Sequence, residues 1–273
     1  VNAINGYTTY WYSSSLEGGS LTVEADVNRD DISTLSPAYK GDGFNDIQME
    51  RERVILQGGK TISSTTGKGL ILASNKDANS NSESGYTLKK GTFNISNGTN
   101  TATAAYVSFG HIITEKNGSD EGVIKVSKGV AAYGVNGSKI INKGTIEVSG
   151  NNGVGIYGAG GSKVTNAQGG IIAVGQEGVA LYGANRLGSS TLGDRTISVT
   201  NAGTLKGING KTKAFGIFAE NTLAVNKSVL TNSGTIDFSN SQQSIGIHSI
   251  NSTVSNTGKI NMGLKGVAIN AKN

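Results

Sequence analysis

A short motif that recurs along most of this chain constrains its fold more than any other feature. Each copy begins with Asn and continues with Gly and then alternating apolar and polar residues, as in Asn142-Lys143-Gly144-Thr145-Ile146-Glu147-Val148. The Gly lies two residues after the Asn in four copies, and the copy at Asn166 is a variant with Gly170. After a polar turn comes a segment with a small residue between two large ones, as in Val154-Gly155-Ile156. The copies begin at Asn142, Asn166, Asn201, Asn232 and Asn256. A period of roughly 20 to 40 residues is typical of solenoid proteins.

Two positions in each copy are almost always apolar, and the residue between them is mostly polar. The first of these columns holds Phe93, Ile124, Ile146, Ile172, Leu205, Ile236 and Ile260, and the second holds Ile95, Val126, Val148, Val174, Gly207, Phe238 and Met262. A period of two residues indicates a strand with one buried face. A further strand is marked by an apolar residue two positions before each Asn, as in Ile140 and Val164.

Three strands per copy, polar turns and no helical period predict an all-β fold. One such unit cannot bury its apolar face alone, whereas stacked copies share one continuous core. The sequence therefore predicts a parallel β-solenoid of about eight coils, with strands roughly 4.8 Å apart. An antiparallel β-sandwich is the alternative, but it does not explain why equivalent positions keep the same residue class. The recurring Asn predicts a ladder of stacked amides at one turn.

Two regions differ in their relation to the repeat. Residues 58–273 are predicted to form the solenoid, and residues 1–57 a separate N-terminal module. Three interpretations of that module remain open. It can cap the first coil with Trp11 inserted into the core, since solenoid ends need covering. It can be a side module that binds a ligand through Tyr10-Trp11-Tyr12, or it can continue a rod from sequence upstream.

Repeats of the form Asn-x-Gly-x-Ile followed by Gly-x-Gly-Ile-Tyr resemble the passenger domains of large autotransporter (type V secretion) adhesins of Gram-negative bacteria, over roughly residues 58–273. The resemblance implies a right-handed β-helical rod outside the cell, tethered to the outer membrane through a C-terminal translocator barrel that this sequence does not contain. It also implies adhesion to a host-cell protein receptor, a glycan or another bacterium. We expect a monomer and a native chain that continues past Asn273. A cytotoxic or pore-forming passenger domain is the second hypothesis.

A polysaccharide-cleaving β-helical enzyme is the third hypothesis, and the residues do not favour it. Glycoside hydrolysis needs two carboxylates about 5–10 Å apart, whereas Glu147 and Asp237 are predicted three coils apart. Asp26-x-Asn28-x-Asp30 begins like a calcium loop but lacks the required Gly and Glu. With no Cys, scattered basic residues and a net charge of +5, the sequence predicts no metal site, no cofactor, no catalytic residues and no nucleic-acid partner.

Binding specificity is expected where the chain departs from its repeat. The predicted ligand-binding residues are Tyr10, Trp11, Tyr12, Arg186, Asp194 and Arg195. The last three lie in an insertion spanning residues 184–195, and a second insertion at 207–213 carries Lys211 and Lys213. Trp, Tyr and Arg dominate binding hot spots. A neutral surface loop is the alternative interpretation of both insertions.

A row of aromatic residues is a further candidate for binding. Tyr133, Tyr157, Tyr182, Phe218 and His248 occupy one position of successive copies, and we expect them to point outward or into a corner. A strip of small residues is predicted to form a flat surface beside them: Ala131, Gly155, Ala180, Gly216, Gly246 and Ala268. Such a surface could stack on sugar rings or receive a protein, or the rings could only stabilise the corner.

Overall fold

The strands of the protein form three parallel sheets. A computed structural model describes residues 3–4, 20–23, 27–28, 53–67, 70–72, 85–108, 110–185, 196–208, 210–221 and 228–272. The strands in these ranges are β1 (Ala3–Ile4), β2 (Ser20–Val23), β3 (Val27–Asn28), β4 (Arg53–Gln57), β5 (Thr61–Ser64), β6 (Leu70–Leu72), β7 (Gly85–Leu88), β8 (Gly91–Ile95), β9 (Ala102–Ser108), β10 (His111–Thr114), β11 (Lys116–Asn117), β12 (Asp120–Val126), β13 (Gly129–Val135), β14 (Lys139–Asn142), β15 (Thr145–Val148), β16 (Val154–Ala159), β17 (Lys163–Asn166), β18 (Ile171–Val174), β19 (Val179–Asn185), β20 (Ser198–Asn201), β21 (Thr204–Gly207), β22 (Phe215–Asn221), β23 (Ser228–Asn232), β24 (Thr235–Phe238), β25 (Ile245–Ile250), β26 (Ser252–Asn256), β27 (Lys259–Met262) and β28 (Val267–Lys272). No helix occurs in these ranges, and so none that could cross a membrane.

Each sheet runs along the solenoid axis. The first sheet has the order β1-β2-β4-β7-β10-β14-β17-β20-β23-β26, the second β27-β24-β21-β18-β15-β12-β8-β5-β3, and the third β28-β25-β22-β19-β16-β13-β9-β6. Among the described strands, one short antiparallel pair, β11 with β12, extends the second sheet. The chain is thus an all-β parallel β-solenoid, with about six regular turns from β10 to β28.

The core is built from the predicted apolar columns. In the second sheet, Ile124 pairs with Phe93 on one side and Ile146 on the other, and the same register continues to Ile260. Strand β15 alternates between partly exposed and buried residues, as period two requires. The inward register of this sheet is therefore confirmed.

The predicted Asn ladder is also confirmed. The Nδ2 of Asn142 donates to Oδ1 of Asn166 at 2.8 Å. Asn166 donates in the same way to Asn201 at 2.9 Å, and Asn201 to Asn232 at 2.7 Å. Asn232 completes the series with Asn256 at 2.7 Å. The first four of these residues are fully buried, so the ladder satisfies amides that would otherwise be unpaired in the core.

The Gly of each Asn-x-Gly motif is required by close approach of the backbone. A Cβ added at Gly234 would lie 2.2 Å from the carbonyl oxygen of Gly203, and one at Gly258 would lie 2.1 Å from that of Gly234. Real Cβ atoms do not approach an oxygen so closely. Gly203, Gly234 and Gly258 therefore each lie directly against the equivalent Gly of the preceding turn.

The turn between the second and third sheets contains a left-handed residue in five successive copies, which the sequence did not reveal. These residues are Asn152, Glu177, Lys213, Gln243 and Lys265, with φ between 56° and 58°. The N–H of Glu177 donates to the carbonyl of Thr212 in the next turn at 2.9 Å, and that of Lys213 donates to Gln242 at 2.8 Å. The left-handed conformation thus lets the backbone hydrogen bonds between successive turns continue through the corner that joins the second and third sheets.

The described strands within residues 1–57 join the same sheets as the repeats. Strand β2 pairs in parallel with β4, and β4 with β7 of the first sheet. Strand β3 pairs in parallel with β5 of the second sheet. The proposed function of residues 1–57 as a cap or side module stays a prediction, because most of this region, including Trp11, lies outside the described residues.

Candidate functional site

The residues predicted to bind a ligand lie outside the described part of the chain. This holds for Tyr10, Trp11 and Tyr12 and for Arg186, Asp194 and Arg195, so their roles stay predictions. The second insertion is described in part. Its Lys213 lies 3.7 Å from Glu177 across one turn, through Nζ and Oε1. Since both side chains are well exposed, this ion pair contributes little to stability.

The outward face of the third sheet is the most distinctive surface of the described chain. Strand β16 shows how it arises: Val154 and Tyr157 are partly exposed, whereas Gly155 and Ile156 between them are both buried. The pairing of β16 with β13 and β19 skips Gly155. Two inward residues in succession interrupt the alternation and bring two large side chains to the same outward face.

The predicted surface strip of small residues is therefore wrong. Ala131 and Ala180 are fully buried, and Gly155, Gly216 and Gly246 are buried as well. The core leaves no room for more: a Cβ at Gly155 would lie 2.5 Å from a methyl of Ile172 and 2.6 Å from the carbonyl oxygen of Ala180. Of the six strip residues, Ala268 in the last turn is exposed.

The predicted row of aromatic residues is confirmed, and it is longer than expected. The aromatic row consists of Tyr106, Tyr133, Tyr157, Tyr182, Phe218 and His248, all partly exposed. Tyr106, which the sequence analysis missed, is 5.4 Å from Tyr133 between ring centroids. The available signal was the match of Ala104-Ala105-Tyr106 to Ala131-Ala132-Tyr133. Such ring pairs contribute roughly 0.5–1.5 kcal/mol each beyond the burial of area.

The centre of the aromatic row is its most regular part. The ring centroids of Tyr133 and Tyr157 are 4.6 Å apart and those of Tyr157 and Tyr182 are 4.7 Å apart, with planes tilted by 55° and 48°. Tyr182 meets Phe218 edge to face at 5.1 Å. Phe218 and His248 are stacked at 4.7 Å with an angle of 19°. The rings thus keep the spacing of adjacent strands.

A second column of apolar side chains runs beside the aromatic row. This aliphatic column consists of Val130, Val154, Val179, Phe215 and Ile245, which pair in register and are partly exposed. Strict alternation with the predicted strip of small residues would have placed these side chains inside. A solvated sheet face is normally polar, and a continuous apolar column on an outward face is therefore a candidate for an interaction site.

Charge separates the third sheet from the other two. The first sheet presents the exposed Lys139 and Lys163 in directly paired positions. The outward column of the second sheet contains Lys125, Glu147, Lys206 and Asp237. The described strands of the third sheet contain three acidic, basic or imidazole residues, namely Glu220, His248 and Lys272.

The environment of His248 favours its neutral form. Burial lowers the pKa of His248 below its ordinary value of 6.5, and the nearby Glu220 opposes this in part. The Nδ1 atom of His248 is buried without a hydrogen-bond partner among the described residues, so a proton there would have no acceptor. Glu220 accepts a hydrogen bond from the hydroxyl of Tyr182 at 3.4 Å. The face is thus close to neutral around the aromatic row.

Exposed amide side chains accompany the apolar face at the corner that precedes it. This amide column consists of Asn151, Asn152, Gln176, Gln242 and Gln243, of which all but Gln176 are well exposed, and the ion pair of Lys213 with Glu177 interrupts it. Each amide can both donate and accept hydrogen bonds. The surface therefore combines a neutral aromatic and aliphatic face with polar groups along one edge.

Comparison with known proteins gives one family. The model of the BigA third pectate lyase-like domain matches residues 13–268. No curated protein and no solved structure shows a significant match to the chain.

Proposed function

Because this chain belongs to the family of BigA third pectate lyase-like domains, which occur in bacterial surface proteins, we propose that it serves in adhesion. It acts as a stiff β-helical rod of an autotransporter-type passenger and binds a host-cell receptor, a glycan or another bacterium. The mechanism is passive, since the solenoid holds a binding surface outside the cell. The observation that carries this proposal is the apolar outward face of the third sheet.

That face has the properties of a contact surface on a rigid support. Its side chains repeat over successive turns in fixed register, so a partner meets an ordered surface and little conformational entropy is lost on binding. Tyr is also well suited to interfaces because one end of its side chain is apolar and the other polar. The predicted residues Trp11, Arg186 and Arg195 remain part of the proposal as additional contacts.

A non-enzymatic role is part of the proposal. In the second sheet, Ala173 and Lys206 stand between Glu147 and Asp237, which puts the two acids about 14 Å apart at the usual strand spacing. That distance exceeds what glycosidase carboxylates need. The described residues include no group of three or more His, Cys, Asp and Glu that could hold a metal. Neither observation favours the cytotoxic or the enzymatic hypothesis.

The finer expectations about architecture belong to this proposal as well. They are a right-handed helix of about eight coils with three strands each, an N-terminal module over residues 1–57, a monomeric state, and no cofactor or nucleic-acid partner. The outer-membrane location of the full protein rests on the resemblance to autotransporter passengers.

A cell-binding assay with paired variants tests the proposal. The labelled chain should bind saturably to epithelial cells or to bacteria, without lysis and without degrading their glycans. Tyr133→Ser with Tyr157→Ser should reduce that binding about tenfold or more, because each ring contributes contact area at the centre of the face. The matched control is Lys125→Ser with Glu147→Ser, which changes the second sheet of the same two turns and should leave binding unchanged.

The same assay separates the predicted sites. If the tyrosine variant binds normally and folds, while Trp11→Ala or Arg186→Ala with Arg195→Ala loses binding, the site lies in the N-terminal region or the insertion. The apolar face would then not carry adhesion. Circular dichroism and unfolding midpoints establish that each variant is folded under the conditions of the assay.

A further inference from the structure

The period of the aromatic row is informative about the shape of a ligand. Successive ring centroids are 4.6 to 5.4 Å apart over six residues. A globular protein partner would not need such a regular series. A linear polymer with one ring per unit would meet an equivalent contact at each turn, because every strand of the sheet presents the same outward position.

Charge narrows the chemistry of that polymer. From β9 to β25, the described strands of the third sheet contain Glu220 and His248 as their acidic or imidazole groups and no Lys or Arg. Among these strands a polyanion would find no cation, and at the adjoining corner Lys213 is paired with Glu177, whereas Lys139 and Lys163 on the first sheet are exposed. Electrostatic complementarity therefore favours an uncharged ligand here.

The distribution of polar groups points to a carbohydrate. A pyranose ring has an apolar face of C–H groups and a rim of hydroxyls. The Tyr side chains and the aliphatic column can contact the apolar face of the sugar. The exposed amides of Asn151, Asn152 and Gln243 can pair with its hydroxyls because they donate and accept hydrogen bonds. A purely apolar partner would bury this edge without using its amides.

We propose that the outward face of the third sheet binds an uncharged, extended polysaccharide. The chain of sugars runs parallel to the solenoid axis, with sugar rings against the aromatic row and hydroxyls toward the amide column. Tyr133, Tyr157 and Tyr182 form the centre of the site because their spacing is the most regular. The inference rests on the proposed function and names the chemical class of its ligand.

Titration calorimetry with the full chain and defined oligosaccharides tests this assignment. The probes are cellohexaose, xylohexaose and mannohexaose, with their trisaccharides, and hexagalacturonate as the acidic counterpart. At least one neutral hexasaccharide should bind, about tenfold more tightly than its trisaccharide, because more turns are contacted. Hexagalacturonate should bind more weakly. Absence of binding by all three neutral hexasaccharides, or tighter binding of hexagalacturonate, overturns the inference.

Variants at one ring distinguish binding from folding. Tyr157→Ser should weaken the hexasaccharide about tenfold, whereas Tyr157→Phe keeps the ring and should bind within about threefold of the original chain. Glu147→Ser, in the same turn on the second sheet, is the matched control and should bind normally. Equal binding by Tyr157→Ser and the original chain contradicts the assignment. If Tyr157→Ser does not fold, the affinity of Tyr157→Phe and the comparison of hexasaccharides with trisaccharides decide whether the assignment holds.

The experiments distinguish an error in the polysaccharide assignment from an error in the proposed adhesion function. If no neutral oligosaccharide binds but the tyrosine variant still loses cell binding, the partner on this face is a protein and the inference is wrong while the proposed function stands. If the tyrosine variant also leaves cell binding unaffected, this face carries neither polysaccharide binding nor adhesion, and adhesion itself is wrong if the original chain does not bind cells.

Discussion

At the scale of single residues, each inward position repeats the packing of the equivalent residue one turn away. Ile146 and Ile236 are at most 1% exposed, and each is sandwiched between apolar residues of the neighbouring strands. A charge placed there has neither water nor a partner. We therefore expect Ile146→Asp and Ile236→Asp to lower the free energy of unfolding by about 4 kcal/mol or more.

The outward neighbours provide the control for that experiment. Glu147→Ala and Asp237→Ala should cost less than about 1 kcal/mol, since both side chains face solvent. Asp237 loses only its hydrogen bonds from Ser239 and its attraction to Lys259 and Lys206, which together hold its pKa below the ordinary value. Denaturant titration measures all four variants, and similar losses for the inward and outward pairs would refute the register.

The Asn ladder gives a second prediction at this scale. Asn201→Ala removes the acceptor for Asn166 and the donor for Asn232, so buried amide groups lose their partners. We expect a loss of about 2–4 kcal/mol in unfolding free energy. Asn256 is the exposed last member of the series, so Asn256→Ala should lower the free energy of unfolding by less than about 1 kcal/mol. Equal costs at both positions would mean that the ladder contributes no stability beyond its turns.

His248 provides a prediction about pH. Because burial lowers its pKa below 6.5, the unfolded chain takes up this proton more readily than the folded one. Its contribution to stability is therefore complete above about pH 6.5 and is lost as the pH falls toward the folded pKa. His248→Phe can still stack on Phe218 but has no proton to take up.

The measurement is the difference in unfolding free energy between His248→Phe and the original chain. Relative to the original chain, the variant should gain stability as the pH is lowered from about 8 to about 5. His111→Asn is the matched control, since His111 lies on the first sheet away from the row. A difference that does not change with pH would show that His248 titrates alike in both states.

At the scale of elements, the turns before the third sheet determine whether successive coils can stack. Gln243 has φ of 56° and donates its N–H to the carbonyl of Leu264 at 2.9 Å. A β-branched residue is strained in this conformation, so Gln243→Val should cost about 1–2 kcal/mol. Gln243→Gly should be tolerated within about 1 kcal/mol because Gly adopts the conformation without strain.

Gln242→Val is the matched control for the turn. Gln242 is equally exposed but has no left-handed backbone, so this variant should change unfolding free energy by less than about 0.5 kcal/mol. Thermal or denaturant unfolding compares the three variants. If Gln242→Val is as costly as Gln243→Val, the effect comes from the side chain and not from the left-handed turn.

The strands of the second sheet could be predicted from the sequence, whereas these turns and the apolar face could not. Ile146, Glu147 and Val148 alternate between apolar and polar, as a strand with one buried face requires. The left-handed turn residues are Asn, Glu, Lys, Gln and Lys, with no shared side chain, because the backbone alone is constrained. Gly155 was placed outside because strict alternation was assumed. Contacts with Ile172 and Ala180, distant in sequence, decide that it lies inside.

At the scale of the whole molecule, one scaffold presents three faces of different chemistry. The first is basic around Lys139 and Lys163, the second alternates in charge, and the third is apolar with an amide edge. Because each turn contacts mainly its neighbours, a change on one face should leave the others intact. The central claim is that adhesion uses the third face.

Site-specific labelling of the three faces within one turn tests that claim most directly. The chain has no Cys, so Ile141→Cys, Glu147→Cys and Val154→Cys each provide one thiol on the first, second and third sheet. Each partly exposed position is coupled to a large maleimide-polyethylene glycol, and cell binding is measured before and after coupling. The account predicts that coupling at Val154→Cys abolishes binding while coupling at the other two positions leaves it unchanged. Binding that survives at Val154→Cys, or is lost equally at all three, would contradict it.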